Sequence, residues 1–159
     1  MIALLFIRNG FKENEMLDRL AKNSLLPENA LSNGKPTVFE FYADWCEACK
    51  EMAPDMIDAK KQNDNKVDIV LLNVDNSRWI DLIEQYDVNG IPKLIFFDDK
   101  GVMKGFSIGV RKYNELNEIF ISLINNSKLP SFTKESNSSN LSSEYVSKEE
   151  SFNNFIKTE

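Results

Sequence analysis

Two cysteines, Cys46 and Cys49, are the side chains of this sequence whose type and spacing best suit chemistry. Sulfurs at positions i and i+3 can form a disulfide and reopen it, which exchanges two electrons with another disulfide. When a helix begins at the first cysteine, its dipole and free backbone N–H groups stabilise the thiolate, and thiol pKa values fall from about 8.5 to between about 3.5 and 7.5. We therefore expect Cys46 to attack a substrate disulfide and Cys49, one turn later, to resolve the mixed disulfide.

Composition removes the main competing chemistries. The chain has 159 residues and contains no histidine and no third cysteine. A Ser-His-Asp triad, a Cys-His pair and a four-ligand Cys/His zinc site within one chain are therefore excluded, and a zinc shared across a homodimer is the remaining metal alternative. The net charge of -6 argues against nucleic acid as a partner, because phosphate binding needs basic residues. We predict no metal and no organic cofactor, the redox group being the Cys46–Cys49 disulfide itself.

The strand and helix patterns around the cysteines predict an α/β protein. A run of β-branched and aromatic residues at 37–43 indicates a buried strand that leads directly into the cysteines. The predicted elements are strand 37–43, helix 46–62, strand 67–74, helix 77–86 capped by Ser77, strand 91–97, strand 102–108 and helix 113–125. A crossover between the first two strands and a hairpin between the last two give a mixed sheet with helices on both faces.

The two ends of the chain differ in composition from the middle, which is predicted to be one domain at residues 34–126. Residues 1–33 form a lead-in, in which a short helix at 13–23 precedes a loop, with a solvated segment without a helix as the alternative. The apolar segment 1–7 is a core strand, a fraying end or the remnant of a membrane anchor, since a complete span needs about 20 apolar residues. The Ser- and Asn-rich segment 127–159 predicts a mostly disordered tail, with a short docking helix as the alternative.

Acidic residues near the cysteines bear on their reactivity. If Glu40 is buried beneath the cysteines, desolvation raises its pKa and it can accept the Cys49 proton, whereas the alternative is an acid at a sheet edge. Asp44 and Glu47 place negative charge near Cys46, and like charge raises a thiol pKa. We therefore predict a reductant. Its reduction potential should lie closer to about -270 mV than to the value of about -120 mV that a strong oxidant has. The alternative is that Glu47 is a solvated surface residue with little effect.

Three sequence segments together resemble the thioredoxin family. The run FEFYADWCEACK at 39–50 is similar to the active-site strand and helix of that family, and GIP at 90–92 and Gly109 match two further family positions. The resemblance covers about residues 35–125 and implies the thioredoxin fold and protein disulfides as substrates. The chain departs from thioredoxin between the cysteines, where Glu47 and Ala48 replace Gly-Pro.

The resemblance also assigns site residues besides the cysteines. It implies a cis bond before Pro92, which would then face the cysteines and aim backbone groups at the substrate. Trp45 and Ile91 are expected to form an apolar rim that holds an extended peptide near Cys46, and Gly109 is expected to border the same surface.

A narrower resemblance concerns the membrane-anchored thioredoxin-like proteins of cyanobacteria and plastids. It rests on segments 41–56 and 71–79 and on the Ile91-Pro92 pair. It implies a domain held on the thylakoid membrane facing the lumen, with a role in cytochrome b6f assembly and a CcdA-type membrane thiol carrier as electron donor; segment 1–7 would be what remains of the anchor. A soluble cytoplasmic thioredoxin and a redox-silent interaction module on the same fold remain alternatives.

Overall fold

The computed structural model describes the backbone of residues 2–135 and the side chains of residues 12–134. The helices are α1 (Ile2–Lys22), α2 (Pro27–Ser32), α3 (Glu47–Gln62), α4 (Ile80–Gln85, preceded by a 3-10 turn at Ser77–Trp79) and α5 (Tyr113–Ile124). The strands are β1 (Thr37–Tyr42), β2 (Asp68–Asn73), β3 (Lys93–Phe97), β4 (Met103–Ile108) and β5 (Lys134–Glu135). The predicted order of strands and helices from β1 to α5 is confirmed.

The strands form one mixed sheet in the order β2-β1-β3-β4-β5. β1 and β2 are parallel, whereas β3 pairs antiparallel with both β1 and β4. Phe41 lies opposite Lys93, and Lys93 lies opposite Ile108. The carboxyl ends of β1, β2 and β4 therefore meet the amino end of β3 at one edge of the sheet, which we call the cysteine edge because β1 leads into Cys46 there.

Each face of the sheet is covered by its own hydrophobic core, as predicted. Side chains alternate along a strand, so β1 contributes to both cores. One core combines α1, α3 and α5 with the strand residues Val38, Tyr42, Leu94 and Phe96. The other combines α2 and the end of α4 with Phe39, Phe41, Ile95 and Phe97. Burial of each of these large apolar side chains stabilises the fold by about 1.5–3 kcal/mol.

The lead-in is more helical than the sequence predicted. α1 extends from Ile2 to Lys22 instead of covering only 13–23, so the core-strand alternative for segment 1–7 is wrong. Leu17 and Leu20 of α1 are buried in the core that contains α3. A second helix, α2, occupies part of the predicted loop, since Pro27 stands at its first position, where a fixed φ and a missing N–H favour a helix start. Among the described residues, no helix has the length and apolar character needed to cross a membrane.

The folded part extends past the predicted boundary at 126. Leu129 is buried in the core, and β5 adds a fifth strand by pairing Lys134 with Phe106 of β4. The segment is polar in composition, but the apolar side chains of Leu129 and Phe132 pack into or against the core and hold it in place. The remainder of the predicted tail, 136–159, lies outside the described residues.

The helix that follows β2 begins differently from the prediction. The capping side chain is that of Asn76, whose Oδ1 accepts from the Arg78 N–H at 3.0 Å, and not that of Ser77. Asparagine side chains readily bond the backbone two residues on, which starts a tight turn. The first turn is consequently 3-10, and the α-helix ends at Gln85.

Candidate active site

Cys46 and Cys49 lie where α3 begins at the cysteine edge. They are joined by a disulfide with their Cα atoms 5.3 Å apart. Cys46 is the N-cap residue of α3, so the helix begins at Glu47, one position after its predicted start, and the Cys49 N–H donates to the Cys46 Sγ at 3.2 Å. The Cys46 side chain is 5% exposed, whereas Cys49 is fully buried. The first sulfur therefore has the helix-start N–H contact that stabilises a thiolate, and it is the more accessible of the two.

Trp45 precedes the disulfide and is 64% exposed. Its indole Nε1–H donates to the Asp75 carboxylate at 2.8 Å. The Asp75 N–H in turn donates to the Asn73 side chain at 2.9 Å, and the Asn73 amide donates to Asp44 at 3.3 Å. This network fixes the orientation of an exposed aromatic ring beside Cys46. Asp75 was not predicted as a site residue, although the parallel pairing of β1 and β2 places residues after their carboxyl ends side by side.

The structure brings Pro92 and Gly109 together at the cysteine edge. The Ile91–Pro92 bond is cis, as the family resemblance implied. Gly109 has a φ of 90°, a conformation that favours glycine, and its N–H donates to the Pro92 carbonyl at 2.9 Å. Ile91 is half-buried and packs against both hydrophobic cores. The end of β4 is thus bonded to the loop that enters β3.

Lys93 follows Pro92 directly and was not predicted as a site residue. It is 4% exposed, and its Nζ donates to the carbonyls of Tyr86 at 2.7 Å and Asp87 at 2.6 Å. The ammonium also lies 5.0 Å from the centre of the Phe106 ring. Burial lowers the pKa of Lys93. These contacts fasten the end of α4 to the start of β3, so Lys93 fixes both ends of the loop that carries Pro92.

Replacing Lys93 by methionine is expected to lower the free energy of unfolding by about 1–3 kcal/mol, because the Tyr86 and Asp87 carbonyls lose a charged donor and the first of these hydrogen bonds is buried. Denaturant unfolding measures this change. Lys134→Met is the matched control, since Lys134 also lies over Phe106, at 5.7 Å, but is exposed. An equal loss in both variants would show that the contacts with the ring, and not the bonds to the loop, hold this region.

Glu40 lies in the middle of β1, between β2 and β3, and is fully buried. The sheet-edge alternative is therefore wrong. Neither carboxyl oxygen has a hydrogen-bond partner among the described residues, and burial raises the pKa of Glu40 to about 8. By alternation along β1, its side chain shares the face of Val38 and Tyr42, which belong to the core that contains both cysteines. The predicted buried acid is thus present on the side of the sheet where the cysteines lie.

The charge of Glu47 is compensated within α3. Its carboxylate is 83% exposed and lies 2.7 Å from the Nζ of Lys50. Lys50 therefore offsets part of the negative charge that was expected to raise the thiol pKa of Cys46. The predicted low reduction potential therefore depends more on the charge of Asp44 than on that of Glu47.

Comparison with known proteins gives a consistent result. The sequence model of the thioredoxin family, described as "Thioredoxin", matches residues 7–122. The chain is 48% identical over 93 residues to the chloroplastic thioredoxin-like protein HCF164 of Oryza sativa subsp. japonica, covering 58% of this chain and 36% of that protein. It is 38% identical over 114 residues to the thiol:disulfide interchange protein TxlA homolog of a Synechocystis strain, covering 72% of this chain and 63% of that protein.

Solved structures agree with this comparison. The chain superposes on a thioredoxin-like protein from Clostridium perfringens with a TM-score of 0.53 and 30% identity, covering 57% of this chain and 71% of that one. Oxidised thioredoxin O2 from Arabidopsis thaliana gives a TM-score of 0.53 at 26% identity, covering 62% of this chain and 83% of that one. Against the two sequence relatives, the chain spans between 36% and 63% of their length.

Proposed function

The chain belongs to the thioredoxin family, and on that premise we propose that it is a protein thiol–disulfide oxidoreductase that reduces protein disulfides. The observation that carries the proposal is the Cys46–Cys49 disulfide at the start of α3, with Cys46 the more exposed of the two residues. The hydrogen bond from the Gly109 N–H to the Pro92 carbonyl supports it, because it holds the backbone of two predicted site residues together at the same edge. A redox-silent interaction module would not need this arrangement of two sulfurs.

The reaction uses the reduced dithiol. The Cys46 thiolate attacks one sulfur of a substrate disulfide, forming a mixed disulfide and releasing the other substrate sulfur as a thiolate. Cys49 then gives up its proton and attacks the Cys46 sulfur. The Cys46–Cys49 disulfide forms and the second substrate thiolate leaves, so two electrons have passed from the dithiol to the substrate.

Glu40 is the group to which we assign the Cys49 proton. With a pKa of about 8, a minority of the Glu40 side chains is ionised at neutral pH, and it is this carboxylate that accepts the Cys49 proton. The carboxylic acid so formed can then give the proton to the departing substrate thiolate. The burial of Glu40 on the face of the sheet that packs in the same core as the cysteines supports this assignment. In register, Leu71 is its neighbour on β2, so no cation there opposes the rise of its pKa.

An extended substrate segment would bind along the cysteine edge. We assign its contacts to the exposed Trp45 ring, to Ile91 and the backbone next to Pro92, and to the open surface at Gly109, where a side chain would meet no other atom within 4 Å. The hydrogen bond from Trp45 to Asp75 supports this assignment, because a preoriented ring loses little entropy on binding.

We also propose where in the cell this activity takes place. The similarity to a chloroplastic protein and to cyanobacterial TxlA proteins supports a domain that works at the thylakoid membrane, facing the lumen. There it would reduce disulfides between cysteines that cytochrome b6f assembly needs as free thiols, and it would receive electrons from a CcdA-type carrier. Labelling of Cys46 by a membrane-impermeant thiol reagent, applied to each side of intact membranes, tests this, and accessibility only from the cytoplasmic side would favour a soluble thioredoxin.

The activity itself is tested with insulin and dithiothreitol. We expect the protein to accelerate insulin reduction and to equilibrate with dithiothreitol at a potential near about -270 mV. A potential above the glutaredoxin range of about -230 to -200 mV would contradict the assignment as a reductant. No acceleration of insulin reduction would leave the interaction module as the function.

A further inference from the structure

Arg111, just after the Gly109 turn, joins three parts of the domain. One guanidinium nitrogen donates to Glu115 of α5 at 3.0 Å, and another donates to the Ile108 carbonyl at 3.3 Å. The guanidinium carbon lies 5.6 Å from the centre of the Phe132 ring. The Arg111 backbone N–H contacts the sulfur of Met52, which is fully buried one turn after Cys49. Arg111 thus contacts the end of β4, helix α3 and the segment after α5.

The segment after α5 is held firmly where it meets Arg111. Leu129 is buried in the core on one side of Phe132, and Lys134 pairs with β4 on the other. Between them, Thr133 closes a turn by donating to the Pro130 carbonyl through its N–H at 3.0 Å and its hydroxyl at 2.7 Å. We call residues 130–133 the C-terminal turn. Phe132 is therefore presented to Arg111 by a fixed scaffold.

The contacts continue from Arg111 to the loop of the active site. Arg111 holds the Ile108 carbonyl, and the next residue, Gly109, donates its N–H to the Pro92 carbonyl. The Ile108 side chain is 41% exposed at the cysteine edge. A displacement of Phe132 would therefore be passed to the backbone on which an extended substrate rests.

We propose that Phe132, held by the C-terminal turn, and Arg111 determine substrate affinity as positioning residues for the Ile108–Gly109 part of the substrate surface. This rests on the proposed function, since it assumes that protein disulfides bind at this edge. The sulfur chemistry does not pass through these two residues. Their loss should weaken binding of a polypeptide while leaving the exchange steps intact.

The test compares insulin with a small aromatic disulfide, 5,5′-dithiobis(2-nitrobenzoate), in the full chain. Phe132→Ala is expected to raise KM for insulin about two- to fivefold, as loss of one cation–π contact and its packing would. We expect kcat for insulin to change less than about twofold. The rate with the small disulfide, which has no peptide backbone to lie along this surface, should stay at the wild-type value. Phe132→Tyr keeps the ring and should restore the wild-type KM.

Ser131→Ala is the matched control, because Ser131 is an exposed residue of the same turn. A wild-type KM in Phe132→Ala, or an equal slowing with both substrates, would overturn the inference. Should Phe132→Ala not fold, Arg111→Lys decides, since it keeps Phe132 and the charge but loses the forked contact with Ile108 and Glu115; an unchanged KM there overturns it. Failure of the wild-type protein to reduce either disulfide would instead refute the proposed function.

Discussion

Replacing Cys46 by serine is expected to abolish disulfide reduction, whereas replacing Cys49 by serine is expected to leave a protein that reacts once and stops. Cys46 is the accessible sulfur at the helix start, so its loss removes the nucleophile. Cys49 is fully buried and bonded to the Cys46 sulfur in the disulfide, so its loss leaves the mixed disulfide unresolved. Insulin turnover measures the first effect, and intact-mass analysis without reductant measures the second.

The two variants control for each other. Both remove the same disulfide and so lose the same cross-link. A protein adduct should accumulate with Cys49→Ser and be absent with Cys46→Ser. Equal adduct formation by both variants would mean that the roles of the two sulfurs are not fixed by their depth in the fold. Turnover by Cys46→Ser would refute the proposed mechanism.

The cysteine pair and the buried acid could be predicted because both depend on order along the chain. A strand that leads into a helix puts the first cysteine at the helix start, whatever the rest of the fold does. Glu40 stands in a continuous apolar run, which is typical of a strand buried on both faces. The acid therefore had to be buried unless the strand lay at an edge, and the pairing of β1 on both sides excludes that.

Lys93 and Asp75 could not be assigned roles from sequence because their partners are set by register. The acceptors of Lys93 are carbonyls at the end of α4, six and seven residues earlier, and no side-chain pattern marks a carbonyl. Asp75 meets Trp45, thirty residues away, only because β1 and β2 are parallel and in register. The docking of the segment after α5 was missed for a related reason, since averaging its polar composition hides single buried residues such as Leu129.

The largest effect on stability is expected from Glu40→Gln, and its sign depends on pH. The folded chain holds the Glu40 proton up to about pH 8, whereas the unfolded chain releases it above its ordinary pKa of 4.5. Between these values folding takes up a proton, so the free energy of unfolding falls as pH rises, by at most about 1.4 kcal/mol per pH unit. The stability is fully present below pH 4.5 and is lost as pH rises through 8.

Glutamine has nearly the same shape and cannot ionise, so Glu40→Gln should remove this slope. Urea unfolding at several values between pH 5 and 9 should show a decline of about 4 kcal/mol in the wild-type protein. The decline should be absent in Glu40→Gln, and the variant should be the more stable protein at pH 9. Glu118→Gln, an exposed acid on α5, is the matched control and should keep the wild-type slope.

The same substitution also tests the role of Glu40 in the reaction, because its effect on turnover and its effect on stability are expected to have opposite signs. If the carboxyl takes the Cys49 proton, Glu40→Gln should be more stable than the wild-type protein at neutral pH and yet reduce insulin more slowly, since glutamine cannot accept that proton. The slowing should lie in the resolution step, so that more mixed disulfide is present at steady state. A wild-type rate of turnover would remove Glu40 from the mechanism, and a wild-type slope of stability against pH would mean that its carboxyl is not desolvated in solution. A variant that is both more stable and slower is the outcome that a merely structural glutamate would not produce.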